Sequence, residues 1–121
     1  MKLLVIDDDP DIRMVARMML ETRPGLEVAE AGTRAEAVHQ VSAFQPNIIL
    51  LDYQLGDDKG DDVLEEIRRI PAGKNAQVIF ITASVSEKFH DYLLTLSVAG
   101  VIRKPLDLDS FVDQVFHILH D

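Results

Sequence analysis

Four consecutive apolar residues, Ile48-Ile49-Leu50-Leu51, follow Asn47 and run straight into Asp52. The run shows no period of two, so both of its faces are buried, as in a central parallel strand. A charge that ends such a strand must lie at its carboxyl edge, where an open α/β sheet leaves its binding crevice. A lone strand-end aspartate is ordinarily a turn or capping residue. Here three other strands end in chemically active groups, and that pattern decides against the ordinary reading.

Leu3-Leu4-Val5-Ile6 reads as a buried first strand that stops at Asp7-Asp8-Asp9. Pro10 suits a first helical position, with Asp9 as its cap. Ile12, Val15, Ala16, Met19 and Leu20 keep helical spacing until Arg23-Pro24-Gly25. A second, weaker strand at 26–31 belongs nearer an edge. Thr33 and Glu36 form a capping box for a helix that turns Ala37, Val38, Val41 and Phe44 inward. After Asp52 comes a loop over 53–60. A helix from about Asp61 then buries Val63, Leu64, Ile67 and Ile70, and Pro71 ends it. Residues 71–77 connect to a fourth buried strand, Val78-Ile79-Phe80-Ile81, which ends at Thr82. Ser84 and Glu87 predict another capping box, for a helix carrying Phe89, Leu93 and Leu96. Gly100-Val101-Ile102 is a short fifth strand ending at Arg103-Lys104-Pro105. A last helix from about Leu108 buries Phe111, Val112, Val115 and Leu119.

Strand and helix thus alternate five times, about every 20–30 residues, the length of one βα unit. This predicts an α/β fold of the flavodoxin-like (βα)5 kind, a three-layer sandwich whose parallel sheet has the order 2-1-3-4-5. A length of 121 residues fits a single domain over 1–121.

The chain carries 21 acidic and 12 basic residues, a formal charge of −9. That argues against nucleic-acid or anionic-membrane binding by this domain, since both need a basic face, and it suits a site that collects a cation. No cysteine is present, so there is no disulfide framework, thiolate zinc site or thiol nucleophile, which fits a cytoplasmic location. The opening apolar run is too short for a signal peptide or a membrane span. His39, His90, His117 and His120 fall on helices away from the strand ends, and Tyr92 reads as a helix-face residue.

All carboxyl ends of a parallel sheet lie on one edge. Asp7, Asp8 and Asp9, then Asp52, Thr82 and Lys104, are therefore expected together. Carboxylates at such close range disfavour joint ionisation, and a hard cation such as Mg²⁺ relieves them. Lys104 adds a fixed positive charge for a phosphoryl oxygen and Thr82 a hydroxyl donor. Asp52 becomes the candidate nucleophile, because a carboxylate can form an acyl phosphate.

Asp7-Asp8, Asp52, Thr82 and Lys104-Pro105, in this order and at these strand ends, resemble the receiver domain of two-component response regulators. The resemblance covers essentially the whole chain, and Gly60, eight positions past Asp52, matches the family's turn. It implies that Asp52 accepts a phosphoryl group from a sensor histidine kinase or a histidine phosphotransfer protein. It implies that Asp8 and Asp52 ligate Mg²⁺ directly, that Asp7 acts through a bound water, and that Gln54 lends its backbone carbonyl. Thr82 and Lys104 would bind the phosphoryl oxygens. The product would be a signal to a downstream protein effector or output domain, including a phosphorylation-dependent dimer, rather than turnover of an external substrate. The domain could stand alone or belong to a longer regulator or hybrid kinase.

Two departures stand out. Gly56 occupies a position where the family often has proline, which predicts a less rigid loop. Val101, three residues before Lys104, occupies a position where the family usually has Tyr or Phe, which removes the usual aromatic switch. Rival functions fit less well. A flavodoxin would need a phosphate loop after the first strand, where three aspartates would repel the ligand. A haloacid-dehalogenase-type phosphatase would need a second aspartate where Gln54 stands. A receiver-like interaction module without phosphorylation would leave the acid, hydroxyl and lysine set unexplained.

Overall fold

The computed structural model describes residues 1–120. Five strands, β1 (Lys2–Ile6), β2 (Glu27–Ala31), β3 (Ile48–Asp52), β4 (Gln77–Thr82) and β5 (Gly100–Arg103), form one parallel sheet in the order β2-β1-β3-β4-β5. Helices α1 (Pro10–Leu20), α2 (Arg34–Phe44), α3 (Gly60–Arg69), α4 (Glu87–Leu94) and α5 (Phe111–His120) connect and cover it. The predicted sheet order holds, and β2 lies at an edge as its weaker pattern implied.

Alternation along each strand divides the core in two. Leu4, Ile6, Ile49, Leu51, Val78 and Phe80 pack with Val41, Val63, Ile67 and Leu93 from α2, α3 and α4. Leu3, Val5, Ile48, Leu50, Ile79 and Ile81 pack with Ala16, Leu20, Phe111 and Val115 from α1 and α5. Every residue of β3 is buried. This explains why its sequence lacks a polar face: one side meets α2–α4 and the other α1 and α5. Among the described residues no helix is long and apolar enough to cross a membrane.

Local signals set most helix starts. Asp9 caps α1, its Oδ1 accepting the Asp11 amide at 2.9 Å, with Pro10 next. Thr33 caps α2 by accepting from the Glu36 amide at 3.1 Å, but Glu36 reaches back to the Gly32 amide at 2.8 Å, one residue before the box position. The box expected at Ser84 and Glu87 is a correction. Ser86 caps α4, accepting from the Phe89 amide, while Ser84 Oγ accepts from the Ser86 amide. Two short hydroxyl-to-amide turns therefore precede α4, and only the second begins the helix. α4 ends at Leu94, before Leu96, and α5 begins at Phe111, because 107–110 form a turn closed on the Asp107 carboxylate and carbonyl.

The 53–60 segment is also more ordered than a loop. Gln54–Leu55 and Asp58–Lys59 pair as an antiparallel hairpin. Gly56 has φ +60° at its turn, a conformation proline cannot adopt, at a place where tight hairpins favour glycine. Its amide donates to Asp8 Oδ2 at 3.1 Å, a bond proline could not make. Gly60 opens α3 because a Cβ there would sit 2.9 Å from the Tyr53 Cα and 2.6 Å from the Phe80 ring.

Candidate functional site

The parallel register delivers the predicted groups to one edge. Ile6 lies opposite Leu51, Asp52 opposite Ile81 and Thr82 opposite Arg103, so Asp7, Asp52, Thr82 and Lys104 follow one another across four strands. Backbone bonds fix the ends: Asp7 N–H donates to the Ala31 carbonyl, Tyr53 N–H to Ile81, and Lys104 N–H to Thr82 at 2.7 Å. Asp7 is 1% exposed, and Asp52 and Thr82 are 5% exposed, whereas Asp8 faces solvent. Asp9, on the same loop, is spent on the α1 cap.

Asp7, Asp8 and Asp52 each offer an oxygen within 4.8 Å of the others. Lys104 Nζ lies 3.0 Å from Asp7 Oδ2 and 3.1 Å from Asp52 Oδ2. It hydrogen-bonds Asp52, but Asp7 Oδ2 is buried without a well-aligned hydrogen bond. One ammonium thus pairs with two of the three clustered carboxylates. Burial pushes the Asp52 carboxyl up to about 6, the Asp7 charge adds to that push, and Lys104 opposes it. On Lys104, burial acts downward, but the two aspartates prevail and hold its ammonium above the usual lysine range. Close oxygen ligands with uncompensated negative charge and a buried oxygen lacking a bond fit a hard divalent cation such as Mg²⁺.

Around these groups is a cavity of about 430 Å³, lined by Asp8, Asp52, Tyr53, Gln54, Thr82, Ala83, Ser84, Phe89 and Lys104. The Gln54 amide donates to Asp52 Oδ1 at 3.3 Å, and Thr82 Oγ1 accepts from the Ser84 amide at 3.1 Å, leaving the hydroxyl proton free for a ligand. A carboxylate, an ammonium and a hydroxyl therefore converge on one open space. They can receive a tetrahedral anion at the Asp52 oxygen and share its charge.

Several residues at this edge carry no local sequence signal. Arg13 donates from Nη1 to the Asp7 carbonyl at 2.6 Å and from Nε to Glu30 at 3.2 Å, so α1 braces the end of β1. Gly32 makes room for it, since a Cβ there would meet Nη1 at 2.6 Å. Phe89 contributes an apolar wall to the cavity. Tyr92, read from sequence as a helix-face residue, is 42% exposed yet donates its hydroxyl to Asp61 Oδ2 at 2.8 Å. Val101 is half-buried against the α2–α4 side of the core, so no aromatic ring stands at that position.

Comparison with known proteins agrees with this geometry. The family model of the response regulator receiver domain matches residues 3–116. The nitrate/nitrite response regulator protein NarP of Escherichia coli is 31% identical over 94% of this chain and 53% of that protein. The transcriptional regulatory protein KdpE of Mycobacterium tuberculosis is 32% identical over 90% of this chain and 46% of that protein. The chain thus spans about half the length of these two relatives. The chemotaxis response regulator CheY4 of Vibrio cholerae shares the fold, with a TM-score of 0.86 at 20% identity, over 97% of each chain. The strand-end residues, the sheet order and these matches converge: the chain belongs to the receiver-domain family of two-component response regulators, a family of signalling domains.

Proposed function

We propose that Asp52 is the phosphoacceptor of a receiver domain formed by residues 1–121, and that the phosphoryl donor is a phosphohistidine on a sensor histidine kinase or phosphotransfer protein. A carboxylate oxygen of Asp52 bonds to phosphorus as the phosphorus–nitrogen bond breaks, and the electron pair returns to the imidazole. The observation that carries this reading is the position of Asp52: buried at a strand end, 3.1 Å from Lys104, with two further carboxylates within reach.

Burial raises the Asp52 pKa and strips water from its oxygens, while Lys104 keeps the reacting form charged near neutral pH. Lys104 and the Thr82 hydroxyl then take phosphoryl oxygens. Asp7, Asp8, Asp52 and the Gln54 backbone carbonyl would hold Mg²⁺, which when bound supplies charge neutralisation for the transferred group. The negative charge of the chain favours a protein partner over nucleic acid, so the output passes through a protein effector, an attached output domain or a phosphorylation-dependent dimer. A phosphohistidine donor made by a kinase from ATP supports a cytoplasmic setting.

Intact-mass measurement tests the assignment. With a small phosphodonor and Mg²⁺, the wild type gains one phosphoryl group and Asp52→Asn gains none. Equal labelling of both proteins would rule Asp52 out.

A further inference from the structure

The residue that α4 itself contributes to the wall of the Asp52 cavity is apolar. Phe89 stands there, in a cavity whose polar side chains include Asp8, Asp52, Gln54, Thr82, Ser84 and Lys104. Its ring meets the Tyr53 ring edge-on, with centroids 4.8 Å apart and planes at 80°. Tyr53 follows Asp52 directly and also packs on Phe80 at 5.9 Å. The Tyr53 hydroxyl donates to Asp61 Oδ1 at 3.2 Å, and Tyr92, one turn beyond Phe89 on α4, donates to the other oxygen at 2.8 Å. The Phe89 and Tyr92 rings have centroids 6.2 Å apart and are tilted by 30° to one another. One carboxylate at the start of α3 therefore ties the residue after the phosphoacceptor to α4, and Phe89 is held between the two tyrosines.

We propose that Phe89 is the barrier that limits water access to phosphorylated Asp52, and that the Tyr53–Asp61–Tyr92 clasp holds it in position. The proposal rests on the reading of Asp52 as phosphoacceptor. In the step it controls, a water oxygen bonds to phosphorus opposite the Asp52 oxygen. The phosphorus–oxygen bond to Asp52 breaks, its electron pair returns to the carboxylate, and the water protons pass to inorganic phosphate and solvent. A water held for that attack needs two or more polar partners. An aromatic ring offers none, so the occupied wall leaves the polar groups at the cavity mouth, Gln54 and Ser84 among them, to hold the water. Phe89 acts by contact with the cavity. Asp61 and Tyr92 act through it and are positioning residues, and Tyr53, which also lines the cavity, holds it from the other side.

The clasp has its own chemical mark. On Asp61 burial acts upward, but hydrogen bonds, that from Tyr92 the largest, lower its pKa overall. The carboxylate therefore stays charged, and the clasp stays closed, across the neutral range. Val101 leaves this face without an aromatic residue from β5, so on the α4 side the cavity's ring comes from Phe89.

The test follows decay of the phosphoryl group by intact mass after removal of donor, on the whole chain with Mg²⁺. Phe89→Ala should shorten the lifetime by at least about threefold, a barrier change within what one ordered water contributes. Phe89→Leu restores apolar bulk and should recover most of it. Tyr92→Phe keeps its ring and loses only the hydroxyl, and should shorten the lifetime by about half as large a factor. It remains informative if Phe89→Ala fails to fold. Leu93→Ala removes buried bulk from the same helix away from the cavity, so it should lower the melting temperature without changing the decay. A labelled wild type with unchanged decay in Phe89→Ala and Tyr92→Phe overturns the barrier, as does equal acceleration in Leu93→Ala. A wild type that takes no phosphoryl group overturns the phosphoacceptor reading instead, and the barrier falls with it.

Discussion

At the amino edge of the sheet, backbone groups find their partners. Asn47 Oδ1 accepts the Lys2 amide at 2.8 Å, the Asn47 amide donates back to the Lys2 carbonyl, and Gln77 N–H donates to the Asn47 carbonyl at 2.9 Å. Arg68 closes this end, with Nη1 donating to the Gly73 and Ala76 carbonyls at 3.0 and 2.6 Å and Nη2 to Ser97 at 3.2 Å. At the carboxyl edge three carboxylates cluster, one lysine pairs with two of them, and a buried Asp7 oxygen lacks an aligned hydrogen bond. The same five strands supply both edges. The contrast teaches that this chain satisfies its backbone where stability is needed and tolerates unbalanced charge where chemistry occurs.

The largest expected effect breaks the quiet edge. Arg68→Ala removes charge-assisted hydrogen bonds from carbonyls of Gly73 and Ala76, both buried residues. It should cost about 4 kcal/mol in urea unfolding. A loss below about 1 kcal/mol would mean that water replaces the guanidinium freely and that this edge owes little to it.

Next comes pH at the charged edge. Asp52 holds its proton more tightly in the folded chain, with a pKa of about 6 against 3.8 when free. Its contribution to stability is therefore complete below about pH 4 and is lost as pH rises through about 6. In EDTA the wild type should lose on the order of 3 kcal/mol across that window. Asp52→Asn should lack this component. Urea midpoints at several pH values read the difference, and identical profiles would show that Asp52 is not strained.

The smallest effects concern the residues that frame the cavity mouth. Gln54 and Ser84 lie two positions beyond Asp52 and Thr82, and both line the cavity. Replacing either with Ala should change the phosphoryl lifetime by about twofold, since each offers one hydrogen-bond partner to water. Unchanged decay in both would remove them from the account.

The fold was legible because its signals are local. Runs such as Ile48-Ile49-Leu50-Leu51 and the caps Asp9 and Thr33 need no knowledge of distant residues. The main site groups were legible for a related reason: a parallel sheet turns four strand ends into one place, so Asp7, Asp52, Thr82 and Lys104 could be assembled from topology alone. What stayed hidden depends on long side chains reaching between elements. Arg13 crossing to the end of β1, Arg68 gathering carbonyls from two loops, and Tyr53 and Tyr92 meeting on Asp61 have no periodicity to reveal them. Ser86 took the cap expected of Ser84 because Ser84 was engaged in a turn of its own. The 53–60 hairpin was missed because its strands have two residues each, too short to show alternation.

The central claim is that the carboxyl edge is strained by its own charge and that a cation relieves it. Thermal and urea unfolding of wild type and Asp52→Asn at pH 7, each in EDTA and in Mg²⁺, test it most directly. In EDTA the mutant should be the more stable protein. Mg²⁺ at a hundred times its dissociation constant should then raise the wild type by about 2.7 kcal/mol by mass action, and the mutant by much less. A mutant less stable than wild type in EDTA, or an equal response of both to Mg²⁺, would contradict the account.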